Sequence, residues 1–298
     1  MTAAIPRPSL PVGVVRALRP KQWIKNILVF AAPVAAGIFD SRNTDLKALA
    51  AFGCFCAAAS ATYLINDVTD IARDRRHPVK RNRPIAAGIV PVPLALVLAA
   101  VLLGIGVGGG FAITRAFGIT ILAYLANTTL YTLWFKHMAI LDIVAVAAGF
   151  VLRAIGGATA TSVPISEWFF IVTSFGALLM VSGKRAGELV ELGDEAHLVR
   201  PVLAEYSVSF LSYLRAVFSG GALITYCLWA FASANEAGSD SVLFKLSIVP
   251  FAVAILRYAL LLDRGEGSEP ENLVLSDRTL LASGAVWAIL YALAVYSA

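Results

Sequence analysis

Hydrophobic residues in this chain come in long blocks, without the two-residue alternation of strands. Nine blocks, at roughly 23–39, 46–65, 91–110, 116–135, 139–160, 166–182, 212–232, 244–262 and 279–297, hold almost no Asp, Glu, Lys or Arg. Each approaches the ~20 apolar residues that an α-helix needs to cross a bilayer. The pattern predicts an all-α integral membrane protein, one polytopic domain over 1–298 with nine transmembrane helices. Gly104, Gly106, Gly108 to Gly110, Gly156, Gly157, Gly220 and Gly221 fall inside the blocks, as small residues do where helices pack closely in lipid.

Lys and Arg set the orientation, because cytoplasmic loops carry the excess of them. With the N-terminus in the cytoplasm, the inner segments hold eighteen: Arg7, Arg16, Arg19, Lys21 and Lys25; Arg73, Arg75, Arg76, Lys80, Arg81 and Arg83; Lys136; Lys184, Arg185, Arg200 and Arg215; and Arg264 and Arg278. The outer segments hold only Arg42, Lys47, Arg115 and Lys245. Nine spans then leave the C-terminus outside. Residues 1–21 read as a cytoplasmic amphipathic segment. They contain Pro and Arg but no apolar core, unlike a cleavable signal peptide. Chemistry is expected on the cytoplasmic side, in the loops 66–90, 135–142 and 183–211.

Composition agrees with a membrane protein. The chain is 59% hydrophobic and 14% charged, against roughly 25% charged in soluble domains. The net charge of +5 does not form a basic stripe interleaved with aromatics, which argues against a nucleic-acid partner. Cys54, Cys56 and Cys227 lie in apolar blocks with no metal-binding spacing, so they read as packing residues.

The second block ends in Asn66-Asp67-Val68-Thr69-Asp70-Ile71-Ala72-Arg73-Asp74. On a helix Asp67, Asp70 and Asp74 share one face, and Asn66 joins it. Carboxylates so placed repel one another unless a cation sits between them. Oxygen-only donors suit Mg²⁺, which is commonly shared with substrate phosphates. The densest basic run of the chain follows, with Arg75, Lys80, Arg81 and Arg83. Topology alone asks for a few such bases, but their place directly after an acidic face matches a Mg²⁺-bridged diphosphate clamped by Arg and Lys.

Further along, Tyr124, Asn127 and Tyr131 recur at helical spacing, Lys136 ends the fourth block and Asp142 opens the fifth. Arg153 falls well inside that block. A charge there costs several kcal/mol unless paired or wetted, so it either meets substrate or pairs with a buried acid. Lys184, Arg185 and Glu188 begin the third cytoplasmic stretch, and Lys21 and Lys25 precede or open the first span. Both basic pairs suit phosphate as well as ordinary anchoring.

The N-D-x-x-D-x-x-x-D stretch, the basic loop and the sequence Arg83-Pro84-Ile85-Ala86-Ala87-Gly88 resemble the UbiA superfamily of intramembrane prenyltransferases. The resemblance spans essentially the whole chain. It implies a nine-helix UbiA-like bundle opening to the cytoplasm, Mg²⁺ held by Asp67, Asp70 and Asp74, a diphosphate donor and a lipid substrate. The superfamily's second acidic motif, D-x-x-x-D, is represented here by Asp142 alone, with Val146 four residues on. Together with R-P-x-Q-W-x-K-N at Arg19 to Asn26, G-F-V-L-R-A-I-x-G around Arg153 and S-G-K-R-x-x-E-L at Ser182 to Leu189, this is similar to one branch of the superfamily. In that branch the donor is phosphoribosyl pyrophosphate and the acceptor a polyprenyl (decaprenyl) phosphate. The implied activity is Mg²⁺-dependent phosphoribosyl transfer in the plasma membrane, feeding cell-wall arabinan synthesis. The implied roles put the diphosphate on the metal and a carboxylate, Asp74 or Asp142, near the developing positive charge on ribose. The surplus of bases at Lys21/Lys25, Lys80/Arg81/Arg83 and Lys184/Arg185 fits two highly anionic substrates.

Two rivals remain. One is a prenyl transfer from a polyprenyl diphosphate to an aromatic acceptor. The other is an anion transporter, which the clustering of polar residues at one membrane face disfavours. Self-association, lipid length and whether Arg153 touches substrate stay open.

Overall fold

The computed structural model describes residues 9–38, 42–193, 200–236, 241–268 and 270–296. Arg7, the rest of residues 1–8, and residues 194–199 of the expected third loop lie outside these. All regular structure among the described residues is helical. In chain order the α-helices are α1 (Leu10–Leu18), α2 (Ala31–Ala35), α3 (Arg42–Thr69), α4 (Ile71–Arg76), α5 (Val92–Ile113), α6 (Arg115–Leu133), α7 (Leu141–Thr161), α8 (Glu167–Leu192), α9 (Val208–Glu236), α10 (Ser241–Asp263), α11 (Pro270–Ser276) and α12 (Arg278–Tyr296).

Eight helices, α3, α5 to α10 and α12, are long and apolar enough to cross a membrane. They coincide with eight of the nine expected spans. The other segment, 23–39, takes a different form. Pro20–Phe30 is an eleven-residue 3₁₀ helix, followed by the five residues of α2. A 3₁₀ helix rises ~2.0 Å per residue, so these sixteen residues still reach roughly 30 Å. Two boundaries expected on the cytoplasmic side also move. Asn66 to Thr69 continue α3, and Ser182 to Leu192 continue α8, so Lys184, Arg185 and Glu188 stand on a helix rather than in a loop. Helix starts are set locally. Thr114, Ser207 and Asp277 accept the N–H of Phe117, Phe210 and Leu280 through their side chains, at 3.0, 3.1 and 2.9 Å, as N-caps do.

The chain divides into two compact units. Of the described residues, the first holds 9–33, 42–126 and 153–163. Its core is made by α3, whose Phe55, Ala58 and Ala61 are fully buried. Small residues bring backbones together here. A Cβ on Gly106 would lie 3.2 Å from Ala58, and one on Gly157 would run into the Val29 carbonyl. Gly157→Ala is therefore expected to cost about 1–3 kcal/mol or more, since neither backbone can yield easily. A lower melting temperature of the detergent-solubilised variant checks this.

The second unit holds residues 34–38, 127–152 and the described residues from 164 onward. Ile143, Val181, Leu203 and Leu211 form one buried cluster, and Leu179, Leu261, Leu262 and Leu280 another. A Cβ on Gly183 would meet the side-chain methyls of buried Leu262, which would have to move. In both units large apolar side chains such as Val97, Leu122, Ile224, Leu256 and Ile289 point outward, as they would toward lipid.

Candidate active site

The first unit gathers the acidic face. Helix α3 breaks at Asp70, whose backbone (φ −94°, ψ 5°) starts α4. The turn is continuous: the Asp70 N–H donates to Asn66 and the Asp74 N–H to Asp70, at 3.0 and 2.8 Å. Asp67 and Asp74 are buried and each is met by arginine. Arg19 Nη2 donates to Asp67 Oδ1 at 2.5 Å, and Arg83 Nη1 lies 3.1 Å from the same oxygen and 2.7 Å from Asp74 Oδ2. Asp70 stands apart, with 39% of its side chain exposed and Arg73 at 3.8 Å.

The expected three-carboxylate set thus resolves into a buried pair and a separate acid. Among the described residues no three His, Cys, Asp or Glu side chains converge as a metal cage. The pair still fits a cation. Its donors are oxygens only, and positive charge, the Arg83 guanidinium, already lies between the two carboxylates. Mg²⁺ is usually held by one or two carboxylates, with substrate phosphates and water completing the shell. The residues therefore suit a metal shared with a diphosphate.

The basic run divides in function. Arg75 Nε donates to the Ala86 carbonyl at 3.0 Å, tying α4 to the following turn. That turn closes with the Ile89 N–H on the Pro84 carbonyl at 2.9 Å and needs Gly88 at φ +74°, where a side chain is disfavoured. Pro84, Ile85 and Ala86 are buried, which anchors Arg83. Lys80 and Arg81 lie on a short 3₁₀ turn, Arg81 exposed and Lys80 half-buried. Asn66 is half-buried, as is Lys25, and Lys21 is exposed.

A second polar group in this unit surrounds Arg153, which is buried. Its Nε donates to Asn26 Oδ1 at 2.7 Å and its Nη2 to the Tyr124 hydroxyl at 3.0 Å. The guanidinium also lies 4.7 Å from the Tyr124 ring centre. Asn26 in turn donates to Cys56 Sγ at 3.2 Å. Arg153 thereby fastens the 3₁₀ segment to α6 and α7.

The second unit carries its own charged cluster. Asp142 is fully buried. Arg185 grips it with two donors, Nε at 2.5 Å and Nη2 at 3.1 Å, and reaches Glu188 with Nη1 at 3.0 Å. Arg200 Nη1 donates to the Tyr131 hydroxyl at 2.7 Å and to Asp142 at 3.2 Å, while its Nε lies 3.3 Å from Glu188. Two acids and two arginines thus neutralise each other. Arg200 and Glu188 are the members that reach the surface, with 27% and 18% exposure. Arg185 has its donor groups engaged within the protein, so it positions its neighbours.

The approach to Asp142 is strained. Ile140 has φ +68°, a rare conformation for a β-branched residue. The Leu141 N–H reaches the Ala139 carbonyl at 2.8 Å across it, the strained form of γ-turn. The Tyr206 hydroxyl accepts the Ile140 N–H at 2.7 Å and so holds the turn. Burial pushes the Tyr206 phenol above its ordinary pKa, and the backbone contact to Ile140 opposes this in part. It stays protonated at neutral pH. Asn127 donates to the Ala145 carbonyl at 2.9 Å. Lys136, just after α6, and Lys184, on α8, are half-buried.

Arg19, Asn26, Arg200 and Tyr206 were not among the expected site residues. The signals were there for two: Arg19 and Asn26 belong to the R-P-x-Q-W-x-K-N stretch. Arg200 counts only toward topology, and Tyr206 has no local signal.

A model of the UbiA prenyltransferase family matches residues 27–283. The chain is 40% identical over 296 residues to a decaprenyl-phosphate phosphoribosyltransferase of Corynebacterium glutamicum, covering 98% of this chain and 89% of that one. It is 41% identical over 286 residues to the protein of the same name from Mycobacterium tuberculosis, covering 95% and 94%. The fold is similar to that of a UbiA homologue from Archaeoglobus fulgidus solved with GPP and Mg²⁺, with a TM-score of 0.68 at 20% identity over 96% of this chain and 100% of that one.

Proposed function

The chain belongs to the UbiA prenyltransferase family, and from that premise we propose that it transfers 5-phosphoribosyl from phosphoribosyl pyrophosphate to polyprenyl phosphate, releasing diphosphate. The reading rests on the likeness, over nearly the full length, to relatives named for that activity. The charged clusters agree with it. Both substrates are strongly anionic, and each unit presents arginines on a framework of buried acids.

In the reaction the bond from ribose carbon 1 to the diphosphate oxygen breaks, and a bond from that carbon to an oxygen of the lipid phosphate forms. The acceptor is ionised at neutral pH, so the residues need not supply a general base. Asp67 and Asp74, with Asp70 beside them, would hold Mg²⁺. When bound, the ion would neutralise the diphosphate and favour its departure. Arg83, Lys80 and Arg81 would meet the diphosphate oxygens. Lys21 and Lys25 would add to the positive charge that draws the anionic substrates. Asp142 and Arg185 act by holding Arg200 and Glu188, which reach the surface, and Tyr131 shares that network. Arg153 with Tyr124 secures the 3₁₀ segment.

The expected first span serves as a ninth crossing in one polytopic domain, since residues 20–35 have a reach that matches the ~30 Å of the hydrocarbon core. Nine crossings with the N-terminus inside place both clusters toward the cytoplasm and the C-terminus outside. We place the protein in the plasma membrane, in the supply of arabinan precursors to the cell wall.

A transfer assay in detergent micelles tests the activity. Labelled phosphoribosyl pyrophosphate, polyprenyl phosphate and Mg²⁺ are expected to put label in the lipid phase, and EDTA to abolish it. Folded protein that leaves the lipid unlabelled, yet incorporates label from a polyprenyl diphosphate into an aromatic acceptor, would overturn the reading.

A further inference from the structure

One oxygen, Asp67 Oδ1, accepts from two guanidinium groups, Arg19 at 2.5 Å and Arg83 at 3.1 Å. The same Arg83 nitrogen reaches Asp74 Oδ2 at 2.7 Å. Neither arginine is a stray surface side chain. Arg19 sits between α1 and the 3₁₀ segment in the left-handed region, φ 54° and ψ 59°, which non-glycine residues rarely adopt. Its guanidinium also lies 4.7 Å from the Tyr63 ring centre. Arg83 leads into the buried Pro84 turn described above. Each keeps 28% of its side chain exposed, while the acids they hold are buried.

Guanidinium groups this close repel an arriving Mg²⁺, and a carboxylate oxygen that already accepts from two of them has little left to offer a metal. The proposed metal site and the observed ion pairs therefore compete for the same two carboxylates. We propose that Arg19 and Arg83 are resident counter-ions of the metal site, holding Asp67 and Asp74 until a metal-bound diphosphate arrives and then turning onto its oxygens. The inference rests on the function proposed above.

The consequence is thermodynamic. Metal alone must displace two guanidinium groups that then lack an anion. Diphosphate alone meets arginines already committed to carboxylates. When both arrive, carboxylates pass to metal and arginines to phosphate, and all charges keep partners. Metal and diphosphate must then bind with positive coupling, and each raises the affinity of the other by the same factor. Removing a resident arginine frees the acids, so it tightens binding of metal alone while weakening that of diphosphate.

The test uses the full-length protein in detergent micelles. Binding of Mn²⁺ alone is read from loss of its free-ion electron paramagnetic resonance signal. Retention of labelled inorganic diphosphate is read with Mg²⁺ and with EDTA. Wild type is expected to bind Mn²⁺ weakly and to retain diphosphate only with Mg²⁺. Arg83→Gln is expected to bind Mn²⁺ alone more tightly, within the about 5–150-fold range of such couplings, and to retain less diphosphate. Arg19→Gln should move Mn²⁺ affinity the same way, and carries the test if Arg83→Gln does not fold. Unchanged or weaker Mn²⁺ binding in the folded variants, with wild type still labelling lipid, would overturn the counter-ion role and leave the proposed function standing. Wild type that neither labels lipid nor retains diphosphate would bring down both.

Discussion

Asp142→Asn is expected to destabilise the protein by about 3–5 kcal/mol, the usual cost of removing one partner from a buried ion pair, and to lose most of its turnover. Arg185 is 2% exposed and puts two donors on that carboxylate. Asparagine offers one acceptor and turns an N–H toward the guanidinium, so a buried positive charge loses its counter-charge. Arg200 and Tyr131 lose the same anchor. A structural role alone would also predict this loss, so a second variant separates the two. Asp142→Leu with Arg185→Met removes both charges and fills similar volume, a replacement that is often neutral or stabilising for buried pairs. It leaves Arg200 paired with Glu188, a neutral remainder. Melting temperature should return most of the way to wild type in the double variant, and turnover should not, because the surface-reaching pair has lost its orientation. Turnover that recovers along with stability would remove the positioning role from this cluster.

The spans were legible because each is a block of apolar residues, a signal that needs no knowledge of neighbours. The acidic face was legible for a similar reason: Asp67, Asp70 and Asp74 lie within two helical turns. What was hidden depends on contacts between distant residues. Arg19 meets Asp67 across 48 positions, Arg200 meets Asp142 across 58, and Asn26 meets Arg153 across 127. No local spacing encodes such pairs, and a lone base near a membrane reads as topology. The form of residues 20–35 was hidden too. Their apolar content satisfies a membrane block equally well as α or 3₁₀ helix, and it is the fit of Val29 against Gly157 that goes with the tighter winding. Ile140 is the extreme case, since a β-branched residue argues against the left-handed turn it occupies. The Tyr206 hydroxyl that accepts its N–H lies 66 positions away. The continuation of α8 to Leu192 was hidden because the end of an apolar block marks where a span meets water, not where its helix stops.

Asp70→Ala is expected to lower turnover by at least the about 10²–10³-fold that loss of one transition-state-stabilising group costs, while leaving the melting temperature nearly unchanged. Asp67→Asn should lower turnover as much and lower the melting temperature as well. The difference follows from burial. Asp70 is the exposed acid, and its arginine neighbour lies at 3.8 Å, too far for a strong charged hydrogen bond. Little of the fold depends on it, and it is the carboxylate freest to receive an incoming cation. Asp67 is buried and holds Arg19 and Arg83, so its loss leaves two guanidinium groups short of a partner. Stability and turnover, measured on the same preparations across a range of Mg²⁺ concentrations, separate these roles. A weaker metal site should also demand more Mg²⁺ for half-maximal turnover in Asp70→Ala. Undiminished turnover of Asp70→Ala at the wild-type Mg²⁺ requirement would take Asp70 out of the metal site and leave the buried pair to act without it. Because the buried pair is already neutralised by arginines, that result would also require the pair to capture the cation unaided, which the ion-pair geometry opposes.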